Sequence, residues 1–147
     1  MQIDNEFLSQ VHSDLFPIVK HVTELLPREF EYNETQYSKV LVRELQKSEI
    51  FKHYQISSEV NIPYQLNDGF TFGYGRADIV LENRATKQCV ILELKACVNA
   101  KYVNLQKFRS QIKKYVKHHQ TESDKHGLIV IFNPQSERVS VRIELML

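Results

Sequence analysis

Apolar residues recur at helical spacing through the first part of the chain: Phe7, Leu8, Val11, Leu15, Ile18, Val19, Val22, Leu25 and Leu26. Steps of three and four place them on one stripe of a helix. Pro17 falls inside the run and predicts either two helices or one bent one, because proline lacks the amide donor of the helical ladder. Pro27 closes the segment. A second helix is predicted over residues 33–48, with Asn33 as N-cap and Glu34 in the first turn. Tyr37, Val40, Leu41, Glu44 and Leu45 share one of its faces.

After Ile50 the period changes to two. Val60, Ile62, Tyr64 and Leu66 read as a strand, and Pro63 assigns it to a sheet edge or a bulge. Asn67-Asp68-Gly69 is a turn signal. Residues 75–82 and 88–96 read as a hairpin joined by the polar stretch 83–87. A helix over 102–119 carries the inner stripe Leu105, Phe108, Ile112, Tyr115 and Val116. Strands follow at 128–132, ending at Asn133-Pro134, and at 139–146. The natural connection from 88–96 to 128–132 is a parallel return through the helix. The expected fold is therefore α/β: a central mixed sheet flanked by helices, with no repeat or linker in the chain.

Inside this pattern four polar residues are out of place. Val90-Ile91-Leu92-Glu93-Leu94-Lys95 reads as a central, doubly covered strand, and Glu93 and Lys95 interrupt it on one face. Asp78 sits between Ala77 and Ile79 on the preceding strand, where a hairpin brings it across the ladder from Glu93. Glu44 stands on the apolar face of the second helix, although Arg43 and Lys47 lie beside it as possible surface partners. Burying several carboxylates together is very costly, and a hard divalent cation resolves the conflict. Such an ion also activates water and stabilises charge on a phosphoryl oxygen.

Composition bounds the function. The 147 residues are 42% hydrophobic and 25% charged, with four Gly and four Pro, which excludes disorder and low complexity. No apolar run approaches the roughly 18 residues of a membrane span. The opening MQIDNEFLSQ carries two acids and no basic residue, unlike a secretory leader. Cys89 and Cys97 make no disulfide framework, and packing is the role expected of both. An intracellular location, cytoplasmic or nuclear, is the expectation. The histidines have no zinc-ligand spacing, and neither a Gly-rich phosphate loop nor a Gly-x-Ser-x-Gly elbow occurs.

The net charge of +1 hides an asymmetry: residues 1–70 hold six Lys/Arg against eleven Asp/Glu, and residues 71–147 hold thirteen against seven. The stretch 101–119 has six Lys/Arg and no acid. It reads either as a solvated helix face or as a stripe facing polyanion phosphate.

Glu44, Asp78 and Glu93-Leu94-Lys95, in that order, resemble the pattern of the PD-(D/E)xK nuclease superfamily, and Gln111-x-x-x-Tyr115 is similar to its fourth motif. More narrowly, Glu34-Thr35-Gln36-Tyr37, Arg43-Glu44-Leu45, Ile62-Pro63-Tyr64 and Gly75-Arg76-Ala77-Asp78-Ile79-Val80 resemble the GxxExxY branch, with Glu31 where that branch's first Gly is expected. The resemblance covers about residues 30–134. It implies a restriction-endonuclease-like core over 31–134, an added helical segment over 1–30 and a C-terminal strand over 135–147, all one domain.

It further implies hydrolysis of a phosphodiester with Mg²⁺ or Mn²⁺. Asp78, Glu93 and the main-chain carbonyl of Leu94 would be the metal ligands. Glu44 would take a second metal or hold a metal-bound water, and Lys95 would orient or deprotonate the attacking water. Gln111 and Tyr115 would position water or phosphate. Arg76 is a candidate phosphate contact, and Lys107, Arg109, Lys113, Lys114 and Lys117 would attract the nucleic-acid backbone. DNA is the expected partner, cut internally, and a homodimer through the N-terminal helices would cut both strands. The competing reading is a catalytically silent nucleic-acid-binding or assembly module.

Overall fold

The computed structural model describes residues 6–27, 30–96, 105–119, 124–133 and 140–146. Its elements are α1 (Glu6–Leu25), α2 (Glu34–Lys47), a 3-10 turn (Ile50–His53), β1 (Tyr54–Gln65), β2 (Thr71–Asn83), β3 (Cys89–Ala96), α3 (Leu105–His118), β4 (Lys125–Asn133) and β5 (Ser140–Met146). The strands form one five-stranded sheet in chain order. Only β3 and β4 are parallel; the other neighbours are antiparallel. α3 provides the crossover between them, as the sequence pattern predicts. Cys97 and the residues 134–139 before β5 lie outside the described residues.

Each helix forms for a local reason. α1 is continuous through Pro17, which lies exposed on the solvent side, where water can take the carbonyl left without its amide. Its stripe Leu8, Val11, Leu15, Val19 and Val22 is fully buried against the chain's own core. Asn33 caps α2 with a reciprocal box: its side chain accepts from the Gln36 amide, and the Gln36 side chain accepts from the Asn33 amide, both at 2.9 Å. α1 and α2 cover one face of the sheet, where the Tyr37 ring stacks on Phe132 with centroids 4.2 Å apart. α3 covers the other face with Ile112, Tyr115 and Phe108 over Ile91, Ile129 and Ile131.

β1 and β2 change faces partway along. Ile79 and Leu81 belong to the α1–α2 core, yet Ala77, at the same parity, belongs to the α3 core. On β1, Tyr54 and Ile56 pack towards α1 and α2, while Val60, Ile62 and Tyr64 pack towards α3. A strand that simply alternated would hold each of these sets on one side. The crossing point is marked by Glu59, whose φ of 53° is left-handed, an uncommon state for a residue with a side chain. Ser58 pairs with Ile79 and Val60 with Ala77, which leaves Glu59 opposite Asp78.

Candidate active site

The β2–β3 ladder runs from Glu82–Cys89 to Ile79–Leu92 and stops there. The next position on each strand holds a carboxylate, Asp78 on one and Glu93 on the other. Asp78 Oδ2 accepts the main-chain amide of Leu94 at 2.7 Å, so a side chain takes the donor that the ladder no longer uses. Glu93 is buried, with 3% of its surface exposed, and its Oε1 lies 3.4 Å from Lys95 Nζ. Glu93 Oε2 is buried without a hydrogen-bond partner among the described residues. Lys95 Nζ also lies over the Phe108 ring, 4.5 Å from its centroid, so α3 fixes the lysine against the acid.

Burial, the Asp78 carboxylate and the more distant Glu34 push the Glu93 carboxyl up to about 7, and Lys95 pulls back only in part. Asp78 is raised too, chiefly by burial and further by Glu34; the Leu94 amide, Lys95 and Arg76 oppose the rise. The hairpin thus holds two mutually repelling acids and one orphaned oxygen, a site that demands positive charge or a proton.

The two tyrosines nearby answer to the same acid. Burial raises the pKa of Tyr115 and of Tyr64, and the Glu93 charge adds to both. Gln111 Nε2 donates to Tyr115 Oη at 2.6 Å, so the expected helix pair forms and stands beside Glu93. Gly75 makes the close approach possible: a Cβ there would collide with the Tyr64 hydroxyl and the Tyr115 ring. In the sequence Tyr64 was read as a strand residue and as part of the Ile62-Pro63-Tyr64 match, with no role at the site. Its place at the site depends on the face change of β1, which no local pattern encodes.

Glu44 is not brought to this cluster. Its side chain, 7% exposed, lies 3.4 Å from His21 Nε2, 3.4 Å from Arg43 Nε and 3.2 Å from Lys47 Nζ. Burial raises its pKa, but Lys47, Arg43 and His21 together outweigh that and hold the carboxyl below its ordinary range. The α2 acid whose field reaches Asp78 and Glu93 is Glu34, ten residues earlier and about 15 Å back along the helix axis. The signal for Glu34 was present in Glu34-Thr35-Gln36-Tyr37.

Among the described residues no group of three or more His, Cys, Asp or Glu side chains is arranged to hold a metal. The donors that fit a hard cation are Asp78 and Glu93, whose orphaned Oε2 lacks a partner, with main-chain oxygen and water completing the shell. Arg76 is paired to Glu59, Nη2 to Oε1 at 2.6 Å. Lys113, Lys114 and Lys117 are exposed along α3, as is Lys107, and Arg109 is half-buried. A cavity of about 240 Å³ opens between α2 and the β1–β2 pair, with Asp78 in its wall.

A family model described as the PD-(D/E)XK nuclease superfamily matches residues 9–143. The match takes in nearly all of α1 and reaches β5, beyond the stretch covered by the sequence motifs; it makes no assignment to the GxxExxY branch. No curated protein matches the chain. The crystal structure of SSO0001 is similar at 17% identity over 98% of this chain and 78% of that one, with a TM-score of 0.47.

Proposed function

Because this chain belongs to the PD-(D/E)XK nuclease superfamily, with the mixed α/β sheet of a restriction-endonuclease-like fold, we propose that it is a metal-dependent deoxyribonuclease cutting phosphodiester bonds within DNA. The observation that carries this reading is Glu93: a buried carboxylate with an unsatisfied oxygen, raised to about 7 beside Asp78 and next to a lysine. Glu44 Oε2 is likewise without a hydrogen bond among the described residues, but Arg43 and Lys47 compensate that carboxylate and hold its pKa down, whereas Glu93 is left raised.

Asp78, Glu93 and the Leu94 carbonyl would hold Mg²⁺ or Mn²⁺, which supplies a nucleophilic water and offsets charge on the phosphoryl oxygens. Lys95 orients the attacking water and balances the developing negative charge, its ammonium fixed between Glu93 and the Phe108 ring. Glu34 adds negative field from the start of α2 and, in place of Glu44, would take the second metal or hold a metal-bound water. Gln111 and Tyr115 position the phosphate or its water from α3, and Lys113, Lys114 and Lys117 attract the backbone. A second copy, for cutting both strands, would meet along α1, where Phe16 and Leu25 are each 41% exposed.

The test incubates labelled single-stranded, duplex and branched DNA, and RNA, with Mg²⁺, Mn²⁺ or EDTA. Cleavage that needs metal and disappears in Glu93→Ala and in Lys95→Ala is the expected result. Binding without cleavage in any metal would overturn the reading in favour of a silent binding module.

A further inference from the structure

The cavity between α2 and the β1–β2 pair has chemistry that the hydrolysis itself leaves unused. Its α2 wall carries the hydroxyls of Thr35 and Ser38, the Lys39 ammonium and the apolar Val42. Its sheet wall carries Ser58, Glu59 and Arg76, and ends at Asp78. Two cations, three hydroxyls and an apolar patch match the parts of a nucleotide: phosphate, sugar and base.

We propose that this cavity is the subsite for one unstacked nucleotide adjoining the bond to be cut, with Arg76 as its phosphate anchor and Glu59 as the arginine's resting partner. The proposal rests on the nuclease reading and names the substrate class: DNA that is single-stranded, frayed or branched at the cleavage point.

Size supports one nucleotide. About 240 Å³ is below the roughly 300–1,000 Å³ of sites for drug-sized ligands, and it leaves no room for a stacked pair. A base inside a duplex cannot enter a cavity walled by a helix and a sheet unless it leaves the stack, which an unpaired nucleotide does at least cost.

The second support is the pair at the rim. Glu59 holds its left-handed backbone in the middle of a strand, opposite Asp78, and its carboxylate meets the Arg76 guanidinium at 2.6 Å. Non-glycine residues kept in sparsely populated conformations concentrate at functional sites. Both side chains are more than half exposed, at 61% for Arg76 and 56% for Glu59, so the pair is weak and easily exchanged. A phosphate diester can replace one carboxylate oxygen on a guanidinium that has five N–H donors. While empty, the site keeps its arginine satisfied; when filled, the substrate takes Glu59's place.

The experiment measures binding of a fluorescent single-stranded oligodeoxythymidylate and of a blunt duplex, both in EDTA. The expected results are a loss of about tenfold or more for the single strand in Arg76→Ala and in the cavity-filling Val42→Trp. Duplex binding should be little changed in Val42→Trp. Glu59→Gln should bind the single strand more tightly than wild type, and Glu59→Gln combined with Arg76→Ala should match Arg76→Ala alone. Ser38→Tyr fills the same cavity from another position and replaces Val42→Trp if that variant fails to fold by circular dichroism. Unchanged single-strand binding in the filled variants, or Glu59→Gln binding no tighter than wild type, would overturn the proposal. Failure of the nuclease reading has a different signature, the absence of cleavage in every metal. Loss of the subsite alone raises the concentration of single-stranded DNA needed for cleavage, while the cleavage stays metal-dependent.

Discussion

Exchanging Glu93 for glutamine is expected to stabilise the metal-free protein, and the gain should depend on pH. In the folded chain this carboxyl titrates at about 7, against 4.5 ordinarily. Below about 4.5 it is protonated in both folded and unfolded chains, and it costs the fold nothing. As pH rises towards 7 the unfolded chain releases the proton while the folded chain retains it, so stability falls. Above 7 the folded chain bears the full cost of a buried anion. The gap between 7 and 4.5, at roughly 1.4 kcal/mol for each pKa unit, makes that cost about 3 kcal/mol. For a chain of this size it corresponds to roughly 6–12 °C in Tm. Glutamine keeps the shape and cannot ionise, so Glu93→Gln should gain about this much at pH 8 in EDTA and almost nothing at pH 4. Mg²⁺ should raise the wild-type Tm at pH 8, since an ion that binds only the folded chain stabilises it, and should leave Glu93→Gln unmoved. Thermal unfolding followed by circular dichroism from pH 4 to 8, with EDTA or Mg²⁺, reads all of this. A Glu93→Gln protein less stable than wild type at pH 8 in EDTA, or parallel pH profiles for the two, would refute the reasoning.

Glu34→Gln should weaken Mg²⁺ binding about tenfold by calorimetric titration, whereas Glu44→Gln should leave the affinity unchanged and lower only stability. Equal losses in both would contradict the separation of the two acids. Cys89 is 1% exposed and burial pushes its thiol up to about 12, so roughly one molecule in ten thousand is a thiolate at pH 8. In a Cys97→Ser background, a thiol reagent should therefore modify Cys89 only at the rate at which the sheet opens, a rate that rises with urea. Gly75→Ala should cost about 1–3 kcal/mol through overpacking, with part recovered in Gly75→Ala/Tyr64→Phe, which removes the hydroxyl that meets the new methyl. Chemical denaturation measures both.

The elements were legible wherever burial follows a period. The stripe of α1, the Asn33 cap and the apolar run of β3 each state their structure locally. β1 is longer than its pattern predicts, starting at Tyr54 rather than near Val60, because the face change at Glu59 breaks the alternation between its two halves. β2 likewise starts at Thr71, where Phe72 and Tyr74 are exposed at 56% and 71% and give no inward signal. In the site, Asp78, Glu93 and Lys95 were visible as polar interruptions of apolar strands. Glu44 gave the same signal for a different reason. It is an acid on an apolar face, but one of its partners, His21, comes from α1, and that distant contact leaves no trace in the local spacing.

The position of Asp78 and Glu93 on the two arms of one hairpin also sets the order in which the site is assembled. They are 15 positions apart, while Glu34 lies 59 positions before Glu93. Chain-closure entropy grows with the logarithm of that separation, so recruiting Glu34 costs about 1 kcal/mol more than joining the two strand acids. A hairpin closes within about 1–10 μs, whereas a chain emerging at roughly 5–20 residues per second delivers β4 some seconds after β3. During synthesis, therefore, the two carboxylates meet in open water before α3 and β4 can cover them. Their repulsion is first screened by water and free counter-ions, and the burial that raises both carboxyls comes only when the rest of the sheet closes over them.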